Sequence, residues 1–225
     1  GARVRRGPAP GAAAAADHVA ARARLLHLWA PAGDGLAFLS VRSAFDATLT
    51  ALAFPAGSEV LVSAVNIRDM ATLLGLHGLV PVPLPLSPGA LLPSAESVSR
   101  AVTPRTRGLL LAHLFGARAE VAPLFERARS LGLFVFEDAA QAFTAPDWRG
   151  SAGAHASYFS FGTIKTATAM GGALVRLPDP TLRARADYIG VNYYGLSLVR
   201  GVSIIPILRG LPEQVNLRTP LPKND

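Results

Sequence analysis

Apolar residues fall along this chain in short runs set between stretches of helical spacing. The runs at residues 59–63 (EVLVS), 107–113 (RGLLLAH), 133–137 (LFVFE), 156–161 (ASYFSF) and 173–177 (ALVRL) have strand length. Their near-continuous apolar character marks strands buried on both faces. Residues 66–77, 94–102 (capped by Ser94), 121–131 and 180–188 read as helices. Earlier in the chain the pattern predicts a helix over 15–29, with Leu25, Leu26 and Trp29 as its apolar side, and a short strand over 35–40. A helix then runs to about Phe54, with Ser43 as N-cap and Asp46 three residues on. The strand at 79–84 is laced with proline, which places it near a sheet edge. Strands alternating with amphipathic helices predict an α/β fold, a three-layer α/β/α arrangement around a mostly parallel sheet.

The same pattern divides the chain. Residues 1–13 are Gly/Ala/Pro/Arg-rich without periodicity and read as a mobile lead-in. Residues 14–190 read as one large domain, and residues 191–225 as a remnant or start of a further region, ending in a polar tail. No internal repeat is evident.

Composition narrows the class. Half of the 225 residues are hydrophobic and 16% are charged, which excludes disorder by composition. No cysteine is present, which excludes disulfides, Cys-ligated metals and a thiol nucleophile. The histidines at 18, 27, 77 and 155 lack metal-ligand spacing, so no metal site is expected. No run is long and apolar enough to span a membrane, and the N-terminal stretch lacks a signal-peptide core, so a cytoplasmic location is expected. The net charge of +7 could suggest nucleic acid, but the arginines are scattered and no run exceeds two. We therefore expect no nucleic-acid partner. Of the 22 basic residues only Lys165 and Lys223 are lysines. A lysine in the middle of such a chain stands out.

In a sheet of this kind, ligands bind beyond the carboxyl ends of the strands. Those ends carry Glu137-Asp138-Ala139-Ala140-Gln141, Ser160 followed by Lys165, and His113-Leu114-Phe115-Gly116. Ser43-Ala44-Phe45 opens a helix after an earlier strand. An acid at the end of an apolar strand can face a cationic heterocycle. Hydroxyl and N–H groups at a helix start can hold a phosphate. A partly desolvated lysine can form a Schiff base. Together these are the parts of a pyridoxal phosphate site. His113 reads as a structural histidine at a strand end.

The segment VFEDAAQAF, followed by ASYFSFGTIKTATAMGGALV, resembles the core of the DegT/DnrJ/StrS-type sugar aminotransferases, which are fold type I pyridoxal phosphate enzymes. Residues 43–52, 58–66 and 111–116 resemble further segments of that family, so the likeness covers residues 36–178. The resemblance implies a PLP-dependent transferase large domain of the aspartate aminotransferase type. It implies Lys165 as the catalytic residue, carrying pyridoxal 5′-phosphate as a Schiff base. It implies Asp138 against the pyridinium nitrogen and Gln141 beside the phenolic oxygen. Ser160, with the backbone N–H groups of Ala44 and Phe45, would hold the phosphate. It further implies ping-pong transamination between an amino-acid donor and a nucleotide-linked keto-sugar, in a homodimer.

The chain departs from the family pattern. Ala44 and Phe45 replace a usual Gly-Thr, Ile67 replaces the usual aromatic ring over the cofactor, and T-A-T-A-M-G-G replaces T-G-E-G-G. Only about 45 residues follow the last strand, where the family continues into a small C-terminal domain, so that domain is expected to be largely absent. Val191–Tyr194 (VNYY) faintly resembles an N-Y-R segment that reaches a partner's site. A non-catalytic domain that binds pyridoxal phosphate or a protein partner is the alternative expectation. A sugar dehydratase of the same family would carry histidine in place of Lys165.

Overall fold

A computed structural model of the protein describes residues 10–87, 89–143, 147–165 and 167–189. The expectations for residues 1–9 and 191–225, including VNYY, lie outside them. The chain runs α1 (Pro10–Trp29), β1 (Gly35–Phe38), α2 (Val41–Leu52), β2 (Glu59–Ser63), α3 (Arg68–Leu76), β3 (Val80–Leu84) and α4 (Ala95–Ala101). It continues with β4 (Thr106–Ala112), α5 (Ala122–Ser130), β5 (Phe134–Asp138), β6 (Ala156–Ser160), β7 (Ala173–Arg176) and α6 (Pro180–Ile189).

Seven strands form one sheet in the order β1-β7-β6-β5-β4-β2-β3. The five from β6 to β3 are parallel to one another. β7 runs antiparallel to both β6 and β1. The predicted edge strand is the edge: β3 pairs only with β2, so Pro81 and Pro83 remove no inner ladder bond.

Alternate residues of each strand enter different layers. Val60, Val62, Leu110, Phe136 and Tyr158 pack against α2, α3 and α6. Leu61, Leu109, Leu111 and Val135 pack against α4 and α5, and Phe159 and Leu174 pack against Trp29 at the end of α1. Cover on both sides explains why Leu109, Leu110 and Leu111 are all fully buried in sequence. Gly108 is required beside them, because a Cβ there would lie 2.9 Å from the Phe136 ring.

Two expectations about helix starts need correction. α1 begins at Pro10, so residues 10–13 belong to the helix. Proline suits a first turn, whose N–H groups have no intrahelical acceptor. α2 begins at Val41 and is capped by Ser40. The Ser40 hydroxyl accepts the Ser43 N–H (3.2 Å), while the Ser43 hydroxyl accepts the Ser40 N–H (3.1 Å). Ser43 therefore stands one turn inside the helix. Ser94 caps α4 as expected, accepting the Ser97 N–H at 3.0 Å.

Candidate active site

The parallel strands direct their carboxyl ends toward one rim of the sheet. Asp138 closes β5 there. Its carbonyl accepts the His113 N–H (2.9 Å), and the next N–H, of Ala139, donates to Tyr158 O (2.9 Å). Strands on both sides thus fix the peptide that carries the carboxylate. In register Asp138 lies beside Tyr158 of β6, and strand alternation turns both side chains toward the α2 layer.

Asp138 is 6% exposed. It accepts one hydrogen bond among the described residues, from the Ala140 N–H to Oδ1 at 2.9 Å. Burial holds its pKa above the ordinary range, opposed by that N–H and by the nearby Lys165 ammonium. Tyr158 is fully buried, and its hydroxyl has no hydrogen bond of normal geometry. The adjacent Thr48 hydroxyl donates to Ala44 O (2.8 Å). Burial drives the Tyr158 pKa far upward, so its proton stays in place.

Lys165 stands in the turn after β6, where its N–H donates to Gly162 O (3.1 Å). The excursion from 161 to 172 closes on Phe161, whose carbonyl accepts the N–H groups of Ala169 (2.9 Å) and Gly171 (3.0 Å). Lys165 is half-buried there, while its neighbour Ile164 is 91% exposed. The Ser160 hydroxyl, at the end of the same strand, has no hydrogen-bond partner among the described residues. The structure thus brings Asp138, Lys165 and Ser160 to one rim.

Gln141 is engaged by the protein itself. Its Oε1 accepts the N–H of Phe115 (3.0 Å). Phe115 has φ +56° and is 76% exposed. A bulky residue in the left-handed region persists only where neighbours hold it, and Gln141 is one such neighbour. With its oxygen taken, the amide presents N–H donors.

Ala44 and Phe45 depart from their expected role. The Ala44 N–H donates to Ser40 O (3.1 Å), and both side chains are fully buried. The Phe45 ring packs edge-on against Phe136 and Tyr158, at 5.3 and 5.9 Å. The N–H groups left without an intrahelical acceptor at this terminus are those of Val41 and Arg42.

Sequence reasoning missed Tyr158, Asn66 and the partners of Glu137. Asn66 Nδ2, beyond the end of β2, is a second buried polar atom without a partner. Glu137 faces the opposite layer from Asp138. It accepts from His113 Nε2 (2.9 Å), the Ser151 N–H (2.8 Å), the Ser151 hydroxyl (2.5 Å) and the Ser157 hydroxyl (2.6 Å). His113 Nδ1 accepts the Ala119 N–H (3.2 Å), so Nε2 is the donor. His113 is therefore structural, as expected. No group of His, Asp or Glu suited to a metal occurs among the described residues. No described helix is long and apolar enough to cross a membrane.

A mostly parallel α/β sheet with a buried aspartate and a lysine at its carboxyl rim defines the class: a domain of the pyridoxal phosphate-dependent transferase type. The comparisons with known proteins then name the family. The model of the DegT/DnrJ/EryC1/StrS aminotransferase family matches residues 21–197, and the chain belongs to that family. A dTDP-4-dehydro-2,3,6-trideoxy-D-glucose 4-aminotransferase from Saccharopolyspora spinosa is 28% identical over 156 residues, which are 68% of this chain and 40% of that protein. The crystal structure of S. venezuelae DesV, in complex with a ketimine intermediate, superposes with a TM-score of 0.63 at 27% identity over 79% of this chain and 53% of DesV. Bacillus subtilis NtdA with bound cofactor PMP shares the fold, with a TM-score of 0.64 at 22% identity over 70% of this chain and 36% of that one. The chain thus spans about half or less of the length of these relatives.

Proposed function

We propose that this chain is the cofactor-binding part of a pyridoxal phosphate-dependent aminotransferase that passes an amino group from an amino acid to a nucleotide-linked keto-sugar. The observation that carries the reading is Asp138: a buried carboxylate with one protein hydrogen bond, beside the one lysine among the described residues. The relative from S. spinosa acts, by its name, on a dTDP-linked keto-sugar, which supports the acceptor class.

The residues present fit the cofactor. An incompletely satisfied buried carboxylate suits a protonated ring nitrogen, which would offset its desolvation. Among the described residues, two of the three buried polar atoms without partners, Tyr158 OH and Asn66 Nδ2, belong to segments at or next to this rim. The unengaged Ser160 hydroxyl and the N–H groups of Val41 and Arg42 would take the phosphate. This replaces the Ala44 and Phe45 donors. The Gln141 amide would donate toward the ring oxygen, oriented by Phe115. Ile67, 46% exposed, offers an apolar surface in place of an aromatic face.

When bound, pyridoxal phosphate supplies an electron sink that allows an amino group to leave one carbon and join another. Lys165 Nζ would hold the cofactor covalently between turnovers, then carry the proton that leaves and rejoins the substrate carbon. Asp138 would keep the ring nitrogen protonated by keeping its own charge beside it.

The test is direct. Incubation with pyridoxal phosphate is expected to give an absorbance band that borohydride bleaches, with the label on Lys165 in peptide mass spectra. Lys165→Ala is expected to lose band and label. No band, or a label on another residue, ends the reading. A band without amino transfer between donor and keto-sugar leaves a cofactor-binding domain only.

A further inference from the structure

We propose that a cavity at the end of the sheet opposite Asp138 and Lys165 binds a small phosphorylated ligand. The cavity has a volume of about 630 Å³, within the range of small-molecule sites. It lies between the end of α2, the starts of β5 and β6, the end of β7 and the first turns of α6. Because β5 and β6 run from here toward Asp138 and Ser160, the length of the strands separates it from the candidate active site.

Its lining is rich in donors. Arg129, Arg176, Arg185 and His155 contribute, against a single carboxylate, Asp179. Asp179 is engaged as a cap, its Oδ1 accepting the Leu182 N–H at 2.8 Å. Arg176 is balanced by Asp34, with Nε to Oδ2 at 3.3 Å. The other two guanidiniums are not balanced. Arg129, which is exposed, reaches only the Gly153 carbonyl among the described residues, at 3.4 Å. Arg185 is half-buried and has no ion pair or hydrogen bond among the described residues. Arg129 stays hydrated, whereas Arg185 is partly removed from water without an acceptor, which is unfavourable, and an anion in the cavity supplies one.

His155 adds a donor and a floor. Its Nδ1 accepts the Val135 N–H (2.9 Å), which leaves Nε2 to carry the ring proton. The imidazole lies nearly parallel to Phe134, with ring centres 4.8 Å apart. Burial and the adjacent Arg129 hold the His155 pKa below its ordinary value, as an uncompensated positive field does. The α6 start adds no donor of its own, since Asp179 already caps it and Pro180 has no N–H. Two unbalanced arginines and an imidazole N–H suit a tetrahedral dianion.

The proposal is independent of the cofactor reading, because its readout sits on His155. The experiment is an NMR titration of the histidine rings of the full chain with inorganic phosphate. We expect a saturable shift of the His155 ring and a rise in its titration midpoint, since a bound dianion favours the imidazolium. Arg129→Gln and Arg185→Gln should each weaken phosphate binding by about tenfold, the effect of one charge-assisted hydrogen bond. The double variant should not saturate. A His155 ring indifferent to phosphate in the parent protein overturns the proposal, whatever the variants do. An equal response in a folded double variant overturns it as well.

Discussion

Two carboxylates occupy neighbouring positions on β5 and meet opposite fates. Glu137 points into the α5 side of the sheet and accepts four hydrogen bonds. Asp138 points into the α2 side and accepts one among the described residues. Burial pushes both pKa values up. At Glu137 the hydrogen bonds from His113, Ser151 and Ser157 outweigh it, and the pKa falls below the ordinary value. At Asp138 burial wins, and the pKa rises. The difference separates two uses of a buried acid. A saturated carboxylate ties strands and loops together. An unsaturated one is unfavourable for the fold and has capacity for a ligand.

The largest expected effect falls on the saturated side. Glu137→Leu leaves His113 Nε2, the Ser151 N–H and two hydroxyls without an acceptor, and should cost about 3–5 kcal/mol in denaturant unfolding. Gly150→Ala acts on the same network. Gly150 has φ +94°, and a Cβ there would collide with Ser157 and lie 2.6 Å from Glu137 Oε2. Asp138→Asn keeps an acceptor for Ala140 and removes a buried charge, so its stability at neutral pH should stay within about 1 kcal/mol of the parent or exceed it. If Asp138→Asn is as destabilising as Glu137→Leu, the distinction between the two acids is lost.

The pH dependence should then differ in sign. Glu137 has a lowered pKa in the fold, so its contribution is present above the ordinary 4.5 and is lost as pH falls below it. Asp138 has a raised pKa, so the folded state keeps its proton where the unfolded chain has released it. Its effect on stability is neutral in acid and becomes unfavourable as pH rises above the ordinary 3.8. Glu137→Gln should flatten the acid loss of stability. Asp138→Asn should gain on the parent as pH rises. Unfolding curves of both variants across this range decide it, and parallel slopes would refute the assignment.

The legibility of the two sides differed for physical reasons. Continuous apolar runs mark doubly covered strands, so β2, β4, β5 and β6 could be read closely from the pattern alone. Asp138 and Lys165 were legible through resemblance, because their spacing is tied to the strands that carry them. The direction of β7 was not, since an apolar run looks the same in either sense. Ser40 and Ser43 stand three apart and bond each other reciprocally. Either could cap a helix by pattern; the structure leaves the free N–H groups of this terminus at Val41 and Arg42, one turn before the Ala44 and Phe45 donors that the resemblance implied. The bond from Phe115 to Gln141 rests on a left-handed non-glycine residue, a conformation that no local pattern announces. Glu137 was visible as an acid, but its donors come from three separate segments that only the fold assembles.

The smallest expected effect compares two serines of β6, one on each side. Ser157 belongs to the Glu137 network and is fully buried. Ser160 stands three residues on, facing the other layer, with no partner for its hydroxyl among the described residues. Ser157→Ala removes one of four bonds to a buried carboxylate and should cost about 1–3 kcal/mol of stability. Its affinity for pyridoxal phosphate should match the parent. Ser160→Ala removes no protein hydrogen bond, so its stability should change by less than about 0.5 kcal/mol. Its affinity for pyridoxal phosphate should fall by about tenfold, the worth of one charge-assisted bond to a phosphate oxygen. Thermal unfolding without cofactor and a spectroscopic binding titration measure the two quantities separately. An unchanged affinity in Ser160→Ala would remove Ser160 from the phosphate site, and the donors of Val41 and Arg42 would remain as the candidates to test.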